Sequence, residues 1–246
     1  MNAPVMGRVY SFESCGMVDG PGLRFVAFLQ GCPLRCLYCH NPDSWERSGG
    51  REMSSAQVVA EARKYKTWMD SSGGGLTVSG GEPLAQPLFT EDILKRAHAL
   101  GISTALDTSG FAPLEKAKAC LDAADLVILD IKAAGSPLHR KVCGSGDALP
   151  LEVLEYLKSQ GKRLWIRHVV VPGLTDAQED LERLIPLLQG IPCLERFELL
   201  PFHKMGEEKW ADVKEDYQLS DTPAPQDEFM DKLRQHFREA GIPVSD

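Results

Sequence analysis

The sequence predicts an α/β fold, an open, partial (βα)6 barrel of the TIM type, formed by a single domain over residues 1–246. Three observations carry this expectation. Six short apolar, β-rich runs recur along the chain, and segments with helical periodicity alternate with them. Such alternation implies parallel pairing through right-handed crossovers. Six units are too few to close a barrel that needs eight. Lastly, residues suited to chemistry follow the runs, at the strand ends where α/β barrels place their sites.

The elements follow in order. LRFVAFL over 23–29 reads as a buried strand, with a loop punctuated by Gly31 and Pro33 directly after it. A helix is expected over 54–69, capped by Ser54 or Ser55, with Val58, Val59, Ala62 and Tyr65 on one face. A strand over 76–79 runs into Gly80-Gly81-Glu82-Pro83. A helix over 91–100 stops at Gly101, and a strand over 102–106 leads into Asp107-Thr108-Ser109-Gly110. After a helix over 114–121, DLVILDI over 125–131 is apolar enough to be buried on both faces. It delivers Asp130 and Lys132 at its end, two residues apart and so on one side.

A short helical turn over 137–142 and a helix over 149–160 precede the fifth strand, over 163–171, whose Arg167 and His168 point to opposite faces. A helix over 176–188, capped by Thr175 or Asp176, precedes the sixth strand over 196–201, which ends in Phe202-His203. Residues 210–225 read as an irregular loop. The amphipathic helix over 226–240 turns Phe229, Met230, Leu233 and Phe237 inward.

Composition narrows the class. The chain has 246 residues, 43% hydrophobic and 25% charged, as expected for one large globular domain. Its net charge of −8 gives no support for a nucleic-acid partner. Residues 1–9 carry no apolar leader core, and no apolar run approaches the roughly 18 residues of a membrane span. The 7 cysteines are an odd number in a chain that is not small, which argues against a disulfide framework and for a reducing, cytoplasmic setting. Cys15, Cys120, Cys143 and Cys193 stand singly and read as packing residues.

The remaining three, Cys32, Cys36 and Cys39, fall within eight residues as Cys-x3-Cys-x2-Cys. One loop can bring three such thiolates onto an iron–sulfur cluster, and three ligands on a [4Fe–4S] cube leave one iron open. A zinc-binding, non-catalytic module is the alternative from another class. Zinc would want a fourth ligand at suitable spacing, and His40, adjacent to Cys39, is poorly placed to supply it. Elsewhere the residues leave two readings open. Gly80-Gly81 is either a plain turn or a place of close backbone approach to a ligand. Asp107 with Thr108 either caps a turn or binds a cation. Asp130 and Lys132 are either a simple ion pair or partners for a zwitterion, and His203 either packs or binds.

With Tyr38 just before the last cysteine, the three-cysteine pattern resembles the signature of the radical S-adenosylmethionine (SAM) superfamily. The run from Phe12 through Asp19-Gly20-Pro21-Gly22 to Phe25, with Gln30-Gly31-Cys32 and Tyr38-Cys39-His40-Asn41, is similar to the glycyl-radical-enzyme activases. Residues 41–79 contain no cysteine, whereas other activases insert a ferredoxin-like unit there, so the resemblance is to the single-cluster branch that activates pyruvate formate-lyase.

The resemblance implies a site residue by residue. Cys32, Cys36 and Cys39 ligate a [4Fe–4S] cluster, with Tyr38 and His40 beside the cofactor. Gly80, Gly81 and Glu82 hold the SAM amino group. Asp107 and Thr108 hold a monovalent cation near the SAM carboxylate. Asp130, Ile131 and Lys132 face the methionine part, Arg167 enters the site, and His203 contacts the nucleoside. It further implies reductive cleavage of SAM to a 5′-deoxyadenosyl radical, which takes a hydrogen from a backbone glycine of pyruvate formate-lyase under anaerobic conditions. Activation of a different glycyl radical enzyme stays open. The open side of the barrel would admit the partner's glycine loop. Asp19 contacts that peptide or makes an Asx turn. A flavodoxin or ferredoxin is the implied reductant.

Overall fold

The computed structural model describes residues 3–245; Met1, Asn2 and Asp246, and with them part of the leader reading over 1–9, lie outside the described residues. The chain folds as two compact units. The first runs to Pro33 and resumes over Ser44–Ile128; the second is Leu34–Asp43 with the chain from Leu129 onward. An eight-stranded sheet has the order β3-β1-β2-β4-β5-β6-β7-β8, which does not return on itself. The α/β class and the open sheet are as the sequence predicts.

In the first unit, β1 (Met6–Gly16) pairs antiparallel with both β2 (Arg24–Leu29) and β3 (Arg51–Ser54). β2 pairs parallel with β4 (Gly75–Gly80), and β4 with β5 (Ser103–Thr108). The parallel strands are the apolar runs of the sequence. Val26, Ala27, Leu76, Val78, Ala105 and Leu106 are fully buried, each larger one contributing about 1.5–3 kcal/mol. The helices are α1 (Ser55–Arg63), α2 (Lys66–Ser72), α3 (Pro87–Ala99) and α4 (Leu114–Ala123). β6 (Leu126–Asp130) begins in this unit and ends in the next.

The second unit pairs β7 (Leu164–Val170) parallel with β8 (Leu194–Pro201). Its helices are α5 (Ser136–Cys143), α6 (Ala148–Gln160), α7 (Gln178–Glu182), α8 (Leu184–Leu188), α9 (Glu208–Asp212) and α10 (Asp227–Glu239). Phe197 of β8 meets Phe237 of α10 with ring centroids 5.1 Å apart. Arg167 and Glu198, opposite each other in the β7–β8 register, therefore lie on the sheet face away from α10.

Several elements differ from expectation. The six predicted strands are joined by β1 and β3. The helix expected over 54–69 is two helices broken at Lys64-Tyr65, where the Tyr65 ring stacks on Phe25, and Ser54 caps the first in a box with Gln57. The helix expected over 176–188 divides at Arg183, because Pro186 supplies no N–H to the preceding turn. Neither predicted residue caps it: the Thr175 hydroxyl donates to the Val169 carbonyl, and Asp176 accepts from Gly173 N–H. Part of the loop expected over 210–225 is α9. Phe229 is not inward; at 38% exposure it flanks the buried stripe of Met230, Leu233 and Phe237, about 100° round the helix.

Candidate active site

Within the first unit, the parallel pairing of β2, β4 and β5 puts three candidate segments at one edge of the sheet. The cysteine loop follows β2, Gly80-Gly81-Glu82 ends β4, and Asp107-Thr108 ends β5. Gly31 N–H donates to the Ser44 carbonyl at 2.7 Å and Cys32 N–H to that of Trp45 at 3.0 Å, which fixes the start of the loop. Gly81 and Glu82 fold onto this start, their N–H groups donating to the Leu29 and Gly31 carbonyls, each at 2.9 Å. No side chain fits there. A Cβ on Gly80, at φ +129°, would stand 2.1 Å from the Leu29 nitrogen, and one on Gly81 2.5 Å from the Gly31 oxygen.

Glu82 is 1% exposed and turned inward. One carboxylate oxygen accepts from Thr108 Oγ1 at 2.6 Å and Leu84 N–H at 2.9 Å; the other accepts from the N–H and hydroxyl of Ser109. The acid thus braces the ends of β4 and β5, and the two glycines leave backbone at the edge. Asp107 accepts from the Ser79 hydroxyl at 2.7 Å. The Asp19 carbonyl accepts from Thr77 Oγ1 at 2.7 Å, and buried Arg24 donates to the same hydroxyl at 3.0 Å.

Within the second unit, the rest of the loop is held against α5 and the segment around α9. Arg35 N–H donates to the Cys143 carbonyl at 3.1 Å and Leu37 N–H to that of Val142 at 2.9 Å. Trp210 Nε1 donates to the Cys39 carbonyl at 3.0 Å, and Lys209 Nζ to Asn41 Oδ1 at 2.8 Å. His40 stacks on His203, ring centroids 4.3 Å apart, and its Nε2 lies 3.2 Å from the His203 carbonyl. That engagement turns His40 to His203 rather than toward the neighbouring thiols.

Lys132 Nζ lies 2.7 Å from Asp130 Oδ2 and 5.7 Å from the Tyr38 ring centroid. Burial alone would lower the Lys132 pKa. The Asp130 carboxylate, with Tyr38 and Cys36, outweighs burial and holds it well above the ordinary lysine value, so the ammonium stays charged. Burial pushes the Tyr38 hydroxyl well up. A hydrogen bond with Cys143, and then burial, push the Cys36 thiol up. Between Asp130 and Lys132, the Ile131 carbonyl accepts from His168 Nδ1 at 2.8 Å. Since a carbonyl only accepts, that nitrogen carries the proton. Arg167 Nε donates to Glu198 Oε2 at 2.6 Å, and Arg196 Nε lies 2.9 Å from the other oxygen.

Nothing local in the sequence marked Ser109, Cys143, Glu198 or Trp210, whose partners lie 27 to 171 residues away. The donor set fits a cluster: three half-buried thiols on one loop, none of them in a disulfide, whereas Cys120 and Cys143 are buried. Among the described residues no three His, Cys, Asp or Glu side chains gather as ligands for a single metal ion. Among them, too, no helix is long and apolar enough to cross a membrane.

The model of the radical SAM superfamily matches residues 26–185. This chain, with its three-cysteine loop, belongs to that superfamily, whose members use a [4Fe–4S] cluster and SAM. Its relatives include the pyruvate formate-lyase-activating enzyme of Clostridium pasteurianum, 43% identical over 235 residues, which are 96% of this chain and 98% of the relative. The pyruvate formate-lyase 1-activating enzyme of Escherichia coli K12 is 40% identical over 232 residues, 94% of each chain. Among solved structures, a domain of pyruvate-formate lyase-activating enzyme from Bacteroides vulgatus superposes with a TM-score of 0.59 at 26% identity, over 70% of this chain and 98% of that one. SuiB of Streptococcus suis, bound to its precursor peptide, shares the fold at 15% identity and a TM-score of 0.66, over 88% of this chain and 47% of that one.

Proposed function

We propose that this protein activates pyruvate formate-lyase by installing a glycyl radical on it, acting as one functional domain in the cytoplasm. The observation that carries the reading is 43% identity over nearly the whole length of an activase, with the three-cysteine loop placed directly after β2. Bound [4Fe–4S] cluster and SAM supply the chemistry, a one-electron cleavage of the sulfonium that yields a radical able to take hydrogen from glycine.

The chain's own residues bind and orient. Cys32, Cys36 and Cys39 would hold the cluster, and three protein ligands would leave it able to bind SAM. Gly80 and Gly81 offer backbone to the amino group, and Glu82 keeps that backbone in place through its bonds to Thr108 and Ser109. Asp107 and Thr108 hold a monovalent cation. Lys132, kept charged by Asp130, would meet the methionine carboxylate, and Ile131, between the two in sequence, would contact the cofactor. Arg167, His203, His40 and Tyr38 position the nucleoside end. Asp19 contacts the partner's glycine loop. Reacting atoms must stand roughly 3–3.5 Å apart, so positioning is the main catalytic task. A flavodoxin or ferredoxin supplies the electron.

The test is anaerobic incubation of the reconstituted protein with pyruvate formate-lyase, SAM and a reductant. A glycyl radical by EPR is expected from the wild type and none from Cys36→Ala. Its absence from the wild type, with four irons bound, would sink the reading in favour of another glycyl radical enzyme. A colourless zinc protein would return it to a non-catalytic module.

A further inference from the structure

We infer that Cys143 is a positioning residue for the cluster: its S–H donates to the Cys36 sulfur and raises the reduction potential of the iron bound there. The inference rests on the cluster assignment above. Cys143 is 1% exposed at the C-terminal end of α5, followed by Gly144 at φ +83°. The Arg35 and Leu37 N–H groups bond to the carbonyls of Cys143 and Val142, so Cys36 is fixed alongside Cys143, and the two thiols hydrogen-bond.

The direction of that bond follows from His139. Its Nδ1 lies 2.5 Å from the Ser145 carbonyl, which only accepts, so Nδ1 carries a proton. The Cys143 sulfur lies 3.1 Å from the same nitrogen and therefore receives from it rather than giving to it. The Cys143 proton is left with neutral acceptors, the His139 carbonyl at 3.1 Å and, farther off, His139 Nε2 at 3.7 Å and the Ser145 carbonyl at 3.9 Å, and with Cys36. A cysteine bound to iron is a thiolate and can only accept, and a charged acceptor outcompetes a neutral carbonyl. The order is then imidazole N–H to Cys143 sulfur, and Cys143 S–H to Cys36. Hydrogen bonds to ligand sulfur favour the more negative, reduced cluster and so raise its potential.

The experiment is an EPR-monitored redox titration of the anaerobically reconstituted protein, with iron counted in each sample. Cys143→Ala is expected to keep four irons and move the midpoint to a more negative value. Cys143→Ser, whose hydroxyl still donates, is expected to restore most of the shift. If the alanine variant fails to hold iron, Cys143→Val, which fills the space without a donor, takes its place against the serine variant. A midpoint unchanged without the donor, or one moved as far by serine, overturns the inference and leaves the activase reading standing. A wild type that binds no cluster overturns both.

Discussion

Two carboxylates stand at strand ends, one after β4 and one at the end of β6, and are used in opposite ways. Glu82, after β4, is sealed in and receives four hydrogen bonds from Thr108, Leu84 and Ser109 of its own unit. Asp130, at the end of β6, keeps a side chain 23% exposed and faces Lys132. The first acid has spent its acceptor capacity on the frame that shapes a glycine turn. The second holds the Lys132 ammonium at 2.7 Å, the cation that the proposed function sets against the cofactor. Type and position in sequence are similar; the number of donors delivered by the surrounding backbone separates brace from binding partner.

The largest effect expected from breaking this contrast is at the brace. Glu82→Gln sets an amide donor against donors that need an acceptor, at a cost of about 2–3 kcal/mol in chemical denaturation of the folded protein. Lys132→Ala should do the reverse, costing about 1.5–2 kcal/mol of stability because Asp130 stays 23% exposed to water. SAM affinity should fall roughly ten- to hundredfold in a titration with the cluster intact. Unchanged affinity would demote the pair to a structural ion pair at the end of β6.

A third effect concerns His168, which fixes the Ile131 carbonyl. Burial pulls its pKa below the ordinary value of about 6.5. A depressed folded pKa contributes stability that is present above the unfolded value and lost as pH falls through the folded one. Unfolding free energy should therefore decline below about pH 6.5, and His168→Gln should flatten that decline. The smallest effect is Ser109→Ala, which leaves the Ser109 N–H on Glu82 and should cost about 1 kcal/mol. If it costs as much as Glu82→Gln, the brace is one unit rather than a sum of bonds.

β2, β4 and β6 were legible because each is an apolar run buried along nearly its whole length, and β5, β7 and β8 because apolar, β-rich stretches lie between helical segments. β1 was not, because MGRVYSFESCG alternates with polar residues and is mostly half-exposed. β3 has four residues and abuts the Ser54 cap, where a helix signal hides it. The cysteine loop, the glycine turn and the Asp130–Lys132 pair were readable as local patterns. Their partners were not: which face Glu82 presents, and that Cys143 lies beside Cys36 rather than merely packing, depend on pairings no short window contains. Phe229 and α9 show the same limit, since helix flanks and single turns are decided by what packs on them.

The bonds from Trp210 and Lys209 to the Cys39–Asn41 segment reach back across 171 and 168 residues. On the ribosome the thiols emerge early, and their anchor is among the last fifth of the chain to appear. A nascent chain halted short of residue 209 would hold the loop up to Leu37 through Ser44, Trp45, Val142 and Cys143 but leave the Cys39–Asn41 end without its anchors, so a fully settled third thiol waits for nearly complete synthesis.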